Sequence, residues 1–268
     1  MPFFEAGPER TLHYEDAGAG PPLVAVHGWS LSARFLVDAL APAAPGRRIV
    51  ALDLRGHGRS PAAAPYALED LAADLAALLE ALRLERAVLL GWSLGAQVAL
   101  AALPRVRDRV AALALVSATP RFTEGEDWPH GLPARTLAAL ARHVARDPGR
   151  AAARFFEGMF VDGELDADAR TRAVALRAAA PVPDAATLLA GLDVLGAADL
   201  RAALPGVDVP ALVLHADRDP VCLPGAGRSI AAALPRATFA LLTGGHAPFL
   251  SQRAEFAERL GPFLEAHA

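Results

Sequence analysis

One short motif in the chain has the residues of a nucleophile. Ser93 lies between Gly91 and Gly95 in the pattern Gly-x-Ser-x-Gly. The apolar run before it predicts a buried strand, and the Ala- and Leu-rich run after it predicts a helix. A strand that turns into a helix this abruptly strains the serine backbone, and glycine on both sides permits the close approach. We therefore expect Ser93 to be a nucleophile, although five residues of this kind can also match by chance.

A serine nucleophile needs a base, and the chain offers one at the expected place. A serine hydroxyl reacts poorly at neutral pH until a neighbouring base, itself oriented by an acid, takes its proton. In sites built on a strand–turn–helix nucleophile the chain order is serine, acid, histidine. Only His246 and His267 follow the strand predicted over 210–215, and His267 lies at a terminus that is expected to fray. His246, in a Gly-rich loop, is therefore predicted to be the base.

The acid that orients this base is expected just after the strand predicted over 210–215. Two carboxylates, Asp217 and Asp219, lie there, and the residues alone leave both as candidates. His215 lies inside the same strand and is predicted to be a satisfied core residue.

The anion that forms when the serine attacks needs two backbone N–H donors. One is predicted to be Leu94, directly after the nucleophile, and the other is Trp29, in the loop after the first parallel strand. This loop follows the carboxyl end of its strand, which is where ligands bind in open α/β sheets. His27 and His57 do not fit the chain order of a base, so both are predicted to be structural.

Composition and element order indicate the fold class. The chain has 268 residues, 53% of them hydrophobic, and a formal net charge of −4, which suits a single soluble α/β domain and gives no case for nucleic-acid binding. Strands and helices alternate up to about residue 120, which predicts a mostly parallel sheet with helices on both faces. The pattern over 121–185 is helical. We therefore expect a helical cap at 121–185, inserted into a core formed by 1–120 and 186–268.

Several classes of site and location are not expected. The single cysteine, Cys222, excludes an intramolecular disulfide. No His, Cys or Asp cluster has the spacing of zinc ligands, and a serine mechanism needs neither a metal nor an organic cofactor. No stretch approaches the roughly 18 to 20 apolar residues that span a bilayer, and the first ten residues include no segment of signal-peptide length. The expectation is a cytoplasmic protein with no membrane partner.

These features together resemble the α/β-hydrolase superfamily over essentially the whole chain, and more narrowly the pimeloyl-[acyl-carrier protein] methyl ester esterases of biotin synthesis. The segments that carry the narrower resemblance are His27-Gly28-Trp29, Gly91 to Gly95, Ala118 to Phe122, Asp127-Trp128-Pro129, Arg154-Phe155, Asp199-Leu200-Arg201 and His246 to Phe249. The chain departs from that family at Ala96 and Ala216, where glycine is usual, and over 220–224, which looks one residue longer. The family spacing favours Asp219 as the acid and leaves Asp217 as a turn residue.

The resemblance implies a serine carboxylesterase that removes the methyl ester from a pimeloyl chain carried on acyl carrier protein, through an acyl-enzyme at Ser93. The residues implied to contact the substrate are Trp29, Leu94, Phe155, Met159 and His246, with Phe155 and Met159 lining an apolar channel. A generic short-chain carboxylesterase would share every catalytic residue. A non-catalytic ligand receptor of the same fold is a third alternative. Haloalkane dehalogenases and epoxide hydrolases use an Asp nucleophile, so Ser93 argues against them.

The predicted cap has a segregated charge pattern. Residues 133–155 carry five arginines and one acid, whereas residues 157–168 carry five acids and no arginine. Arg150 and Arg154 lie four residues apart on one face of a predicted helix. A solvated face of an arginine-rich protein would account for them. The sharper hypothesis is that they dock the acidic acyl carrier protein.

Overall fold

A sheet of eight strands runs through the computed structural model, which describes residues 2–268. The strands are β1 (Phe3–Gly7), β2 (Arg10–Gly18), β3 (Pro22–Val26), β4 (Arg48–Leu52), β5 (Ala87–Trp92), β6 (Val110–Val116), β7 (Ala211–Ala216) and β8 (Ala237–Leu242). The helices are α1 (Ala33–Leu40), α2 (Leu68–Ala81), α3 (Leu94–Val106), α4 (Ala134–Arg146), α5 (Pro148–Glu157), α6 (Ala167–Ala178), α7 (Ala185–Ala197), α8 (Pro224–Ala233), α9 (Pro248–Ser251) and α10 (Arg253–Ala266).

The strand order in the sheet is β1-β2-β4-β3-β5-β6-β7-β8. Strand β2 pairs antiparallel with both β1 and β4, and every pairing from β4 to β8 is parallel. The chain leaves β3 for β4 on one side and then crosses to β5 on the other. Ligands bind at such a switch point, beyond the carboxyl ends of the strands. The predicted mostly parallel α/β fold is confirmed.

The central strands form because their sequences are apolar on both faces. Every residue of β5 and every residue of β7 is buried, as expected for parallel strands covered by helices on each side. The edge strand β8 is mostly half-buried or exposed. The rigid middle of the sheet therefore ends in the loops where the candidate residues lie.

The structure has the strands and helices that the sequence patterns indicate. It also has a few elements that the patterns do not indicate. The apolar run at 48–52 forms β4, and the apolar residues at helical spacing over 68–82 form α2, which ends at Ala81. Strand β1 and helices α1, α8 and α9 have no counterpart among the sequence predictions. Helix α1 is only eight residues long, so its main local signal is Ser32, whose side-chain oxygen accepts the N–H of Phe35 at 3.3 Å.

Four helices, α4 to α7, lie between β6 and β7 in the chain. The chain enters and leaves this region side by side, at an antiparallel bridge between Arg121 and Asp199. Helix α7 lies beyond the expected boundary at 185, yet it packs against α4. We therefore propose that the cap extends from Arg121 to Asp199. Its buried residues Val144 and Phe156 belong to the hydrophobic core cluster that fills the sheet region.

Ion pairs surround the point where the cap joins the core. The Arg201 guanidinium contacts Asp199 at 2.7 Å and Asp127 at 2.9 Å, and it lies 5.6 Å from the centre of the Trp128 ring. The charged side chains of these ion pairs are partly exposed to solvent, so the pairs add little to stability. Their effect is to fix the geometry with which the cap segment leaves and rejoins the core.

Candidate active site

Ser93 occupies the turn between β5 and α3. Its φ of 56° and ψ of −119° place a non-glycine residue in the left-handed half of backbone space, a strained conformation that clusters at functional sites. A Cβ on Gly91 would lie 2.4 Å from the carbonyl oxygen of Gly95, and a Cβ on Gly95 would lie 2.1 Å from that of Val26. Both positions therefore require glycine, and the packing around them holds the strained turn.

His246 lies in the loop after β8, and Asp219 is its hydrogen-bond partner. The Nδ1 atom of His246 is 3.0 Å from Oδ1 and 2.9 Å from Oδ2 of Asp219, with both side chains completely buried. Because a carboxylate only accepts, Nδ1 carries the proton and the neutral ring has its lone pair on Nε2. Within residues 2–268, the buried Nε2 has no hydrogen-bond partner. This tautomer is the one that a base toward serine needs.

The two candidate acids have different partners. Besides His246, Oδ1 of Asp219 accepts the backbone N–H groups of Val221 at 2.8 Å and Cys222 at 2.9 Å. Asp217 is partly exposed, and its Oδ1 accepts the N–H of Gly244 at 2.9 Å. Asp219 therefore contacts the predicted base, whereas Asp217 holds the start of the loop that carries it.

The environment of Asp219 keeps its carboxylate charged. Burial acts to raise the pKa of Asp219, but His246, His215 and the N–H of Cys222 outweigh burial, and the pKa lies below its ordinary value. A buried negative charge at this position can stabilise an imidazolium formed on His246.

His215 contacts the loop that carries Asp219 and Cys222, in addition to packing in the core. Its Nε2 lies 2.7 Å from the carbonyl oxygen of Cys222 and 3.5 Å from Oδ2 of Asp219. Burial lowers the pKa of His215, so the neutral ring donates its Nε2–H to that carbonyl. The sequence predicts a satisfied core histidine, but Nδ1 is a buried atom without a hydrogen-bond partner in the described part of the chain.

The loop after β3 brings a second group of backbone atoms to Ser93. A Cβ on Gly28 would lie 3.4 Å from the Cβ of Ser93, which places the loop directly beside the nucleophile. Among the hydrogen bonds of residues 2–268, the N–H groups of Trp29 and Leu94 have no acceptor. His27 orients this loop, since its Nδ1 lies 2.8 Å from the Gly28 carbonyl oxygen.

His27 and His57 are both buried and neutral. The Nε2 of His27 accepts the N–H of Leu54 at 3.2 Å, and burial lowers the pKa of His27. Burial lowers the pKa of His57 to about 3, and the centres of the two imidazole rings are 5.2 Å apart. His27 therefore contacts the predicted oxyanion loop directly, and His57 packs against the His27 ring.

Trp92 links the nucleophile turn to the loop of the base. Its indole N–H donates to the carbonyl oxygen of His246 at 2.9 Å. The ring stacks on Phe35 with centres 5.9 Å apart and meets Phe249 edge to face at 4.8 Å. The middle residue of the Gly-Trp-Ser sequence therefore holds the peptide that carries the predicted base.

Cys222 is a neighbour of the nucleophile that sequence reasoning missed. Its thiol is free and buried, and the Ser93 side chain is one of the groups that act on the pKa of Cys222. Burial and the charge of Asp219 raise the pKa of Cys222 well above its ordinary value, so the thiol stays protonated. The sequence offers one indication of this placement: Cys222 lies three residues after the candidate acid Asp219, in the same loop.

A cavity of about 310 Å³ lies between α4, α5 and the loop that follows Asp219. Its walls are mainly apolar and include Phe122, Leu137, Leu140, Phe155 and Val221, with Arg154 also lining it. The Phe155 ring meets the Trp29 ring edge to face, with centres 4.9 Å apart. Met159, predicted to line the same channel, is buried but does not line this cavity, and its carbonyl oxygen accepts the N–H of His246 at 2.8 Å.

Residues 2–268 include neither a cluster of metal-ligating side chains nor a membrane-spanning helix. No group of three or more His, Cys, Asp or Glu side chains in this range is arranged to hold a metal ion. No helix in the same range combines the length and the apolar character needed to cross a bilayer.

Comparison with known proteins places this chain in a family. Residues 21–252 match the alpha/beta hydrolase fold family. A pimeloyl-[acyl-carrier protein] methyl ester esterase of Stenotrophomonas maltophilia is 35% identical over 263 residues, which cover 94% of this chain and 96% of that protein. A protein of the same name from Nitrosomonas europaea is 36% identical over 251 residues, 92% of this chain and 96% of its own.

A solved structure agrees with this placement. The esterase EaEST from Exiguobacterium antarcticum is 25% identical and superposes with a TM-score of 0.91, with 98% of each chain covered. Esterases among both the curated relatives and the solved structures support a carboxylic ester hydrolase. The chain belongs to the α/β-hydrolase fold family.

Proposed function

We propose that this protein is a serine carboxylesterase that hydrolyses the methyl ester of pimeloyl-[acyl-carrier protein] and releases methanol. The observation that carries the chemistry is the buried pair in which Asp219 accepts from Nδ1 of His246 and leaves Nε2 unpartnered among the described residues, beside the Ser93 turn. The choice of substrate is supported by the curated relatives that bear this name.

In the proposed mechanism, Oγ of Ser93 attacks the ester carbonyl while Nε2 of His246 takes the hydroxyl proton. The Asp219 carboxylate stabilises the imidazolium, and the N–H groups of Trp29 and Leu94 stabilise the oxyanion. His246 then protonates the departing methoxide, which leaves the acyl group on Ser93. A water molecule, deprotonated by His246, attacks the acyl-enzyme; the bond from the acyl carbon to Oγ of Ser93 breaks, the free carboxylate leaves, and His246 returns the proton to Oγ.

The cavity under the cap is the proposed site of the acyl chain. Its mainly apolar walls suit a hydrocarbon chain, and Phe155 connects it to Trp29 of the oxyanion loop. Met159 acts in this proposal through its backbone carbonyl rather than as a wall of the cavity.

The exposed face of α5 is the proposed docking site for the carrier protein. Arg150 and Arg154 are exposed there and form no ion pair with any residue in the range 2–268. Arg142 and Arg146 of the neighbouring α4 are exposed as well. A positive face at the mouth of the cavity would attract an acidic partner and direct its acyl chain inward.

Reversing these charges is expected to affect the carrier-bound substrate alone. Arg150→Glu combined with Arg154→Glu should lower kcat/KM for the carrier-bound ester by about 10-fold or more and flatten its salt dependence, because encounter is no longer steered. Hydrolysis of p-nitrophenyl butyrate should be unchanged. Steady-state kinetics over a range of ionic strength measures both substrates.

The matched control for this prediction lies on another cap helix. Arg170 and Arg172 of α6 are also exposed, and their replacement by glutamate should leave both substrates unaffected. Equal losses on both substrates in the Arg150 and Arg154 variant would indicate a damaged cap. No loss on the carrier-bound ester would make these arginines an ordinary solvated face.

A generic short-chain carboxylesterase is the second candidate, favoured by the likeness to the esterase EaEST. Complementation of a biotin-requiring bacterial strain that lacks its pimeloyl methyl ester esterase separates the two. The proposal predicts growth without biotin with the wild-type chain and none with Ser93→Ala. No growth with a well-expressed wild-type chain would favour the generic esterase.

Activity is expected to be independent of metal. Exhaustive treatment with EDTA should leave the rate of ester hydrolysis unchanged, because a serine mechanism uses only protein groups. A loss of activity that added zinc restores would overturn this prediction.

A cytoplasmic location likewise stays a prediction of the sequence.

A further inference from the structure

A carboxylate of the cap joins two loops of the site. Glu164, in the turn between α5 and α6, accepts the N–H of Gly245 on Oε1 at 2.8 Å and the N–H of Val161 on Oε2 at 2.8 Å. Gly245 directly precedes His246. One half-buried side chain thus connects a cap turn to the loop of the proposed base.

The contact is close enough to require glycine in the histidine loop. Gly244 has a φ of 109°, and a Cβ on it would lie 2.5 Å from Oε1 of Glu164. A Cβ on Gly245 would lie 2.3 Å from the carbonyl oxygen of Met159 and 2.8 Å from Oε2 of Glu164. The two glycines before His246 therefore allow the cap to reach the histidine loop.

The peptide of His246 is held from two sides. Its N–H donates to the Met159 carbonyl of the cap at 2.8 Å, and its C=O accepts from the Trp92 indole of the nucleophile turn at 2.9 Å. Glu164 fixes the cap turn that carries this carbonyl. Any shift of that turn moves the backbone of His246 relative to Ser93.

We propose that Glu164 is a positioning residue, whose carboxylate fixes the cap turn against the histidine loop and so sets the direction in which His246 presents Nε2 to Ser93. This inference rests on the proposed role of His246 as the base. It makes the cap a part of the catalytic arrangement and not only a cover for the acyl chain.

The chemistry of the contact identifies the informative variant. Both carboxylate oxygens accept an N–H, so a glutamine, with one acceptor and one donor, can satisfy only one of the two. Its NH₂ group would face the N–H of Val161 or of Gly245. Glu164→Gln therefore disrupts the bridge with almost no change in side-chain volume.

The matched control lies two residues earlier. Asp162 is an exposed acid in the same turn, and its side chain makes no hydrogen bond or ion pair with any of the described residues. Asp162→Asn removes one negative charge from the turn and leaves the bridge intact.

The test uses the full chain and p-nitrophenyl butyrate. Glu164→Gln should lower kcat on the order of 10²-fold, the effect of a small misplacement of a catalytic group. KM should change little, because Glu164 does not line the cavity. The low-field proton resonance of the His246 Nδ1–H should shift or broaden, whereas Asp162→Asn should leave kcat and this resonance unchanged.

A second variant changes Gly245, the partner of Glu164 in the same contact. Gly245→Ala should lower kcat in the same way, and the double variant should lose much less than the product of the two single effects, since both remove one contact. Retention of wild-type kcat by Glu164→Gln, or a rise in KM alone, would overturn the inference. If His246→Ala also kept its activity, the proposed function itself would fail, which separates the two outcomes.

Discussion

Replacing Ser93 or His246 by alanine is expected to lower kcat on any ester on the order of 10⁴-fold or more, because the two residues act as one unit in forming the acyl-enzyme. Ser93 supplies the attacking oxygen, and His246 supplies the base. The measurement is the initial rate with p-nitrophenyl butyrate, together with circular dichroism to show that each variant is folded.

A buried serine elsewhere in the sheet provides the control. Ser117 follows β6, has a φ of 46° and is also buried, so Ser117→Ala makes the same chemical change in a similar backbone. It should retain activity. Ester hydrolysis that survives in folded Ser93→Ala would show that Ser93 is not the nucleophile and that another residue carries the reaction.

The second large effect is expected at the acid. Asp219→Asn should lower kcat by about 10⁴-fold, since an amide can donate to Nδ1 of His246 and hold the ring in the wrong tautomer, and since it removes the charge that stabilises the imidazolium. Asp217→Asn should have little effect, because an asparagine oxygen can still accept the N–H of Gly244. The measurement is kcat for the two variants on the same ester.

Comparison of these two variants tests the assignment directly. They differ by two positions in one loop and make the same change of group. A larger loss in Asp217→Asn than in Asp219→Asn would show that the contact between Asp219 and His246 does not serve as the orienting contact in solution.

The parts of the site that the sequence predicts are those encoded by local geometry. The glycines around Ser93 are required by contacts within a few residues and with the neighbouring strand, so a short motif indicates the turn. His246 follows from chain order in a parallel sheet. Local sequence leaves Asp217 and Asp219 equivalent, and only the conformation of the loop after β7 places one of them against the base.

The parts that the sequence does not predict depend on contacts between distant loops. In the sequence, Glu164 is one of several acids in a polar stretch. Its hydrogen bond to the N–H of Gly245 forms only when the cap packs on the core. Cys222 and His215 are likewise brought to Asp219 by the return of one loop. The prediction for Met159 concerned its side chain, whereas the contact with His246 is made by its backbone oxygen. Sequence patterns carry little information on which cap atoms face the site.

The substrate is the central claim, and one measurement tests it most directly. Pimeloyl-[acyl-carrier protein] methyl ester is incubated with the wild-type protein or with Ser93→Ala, and intact-mass spectrometry of the carrier follows conversion of the ester to the free acid. The account predicts rapid loss of the methyl group with the wild-type protein, none with Ser93→Ala, and a higher kcat/KM than for p-nitrophenyl butyrate. A carrier-bound ester that stays intact while the wild-type protein hydrolyses p-nitrophenyl butyrate would contradict it.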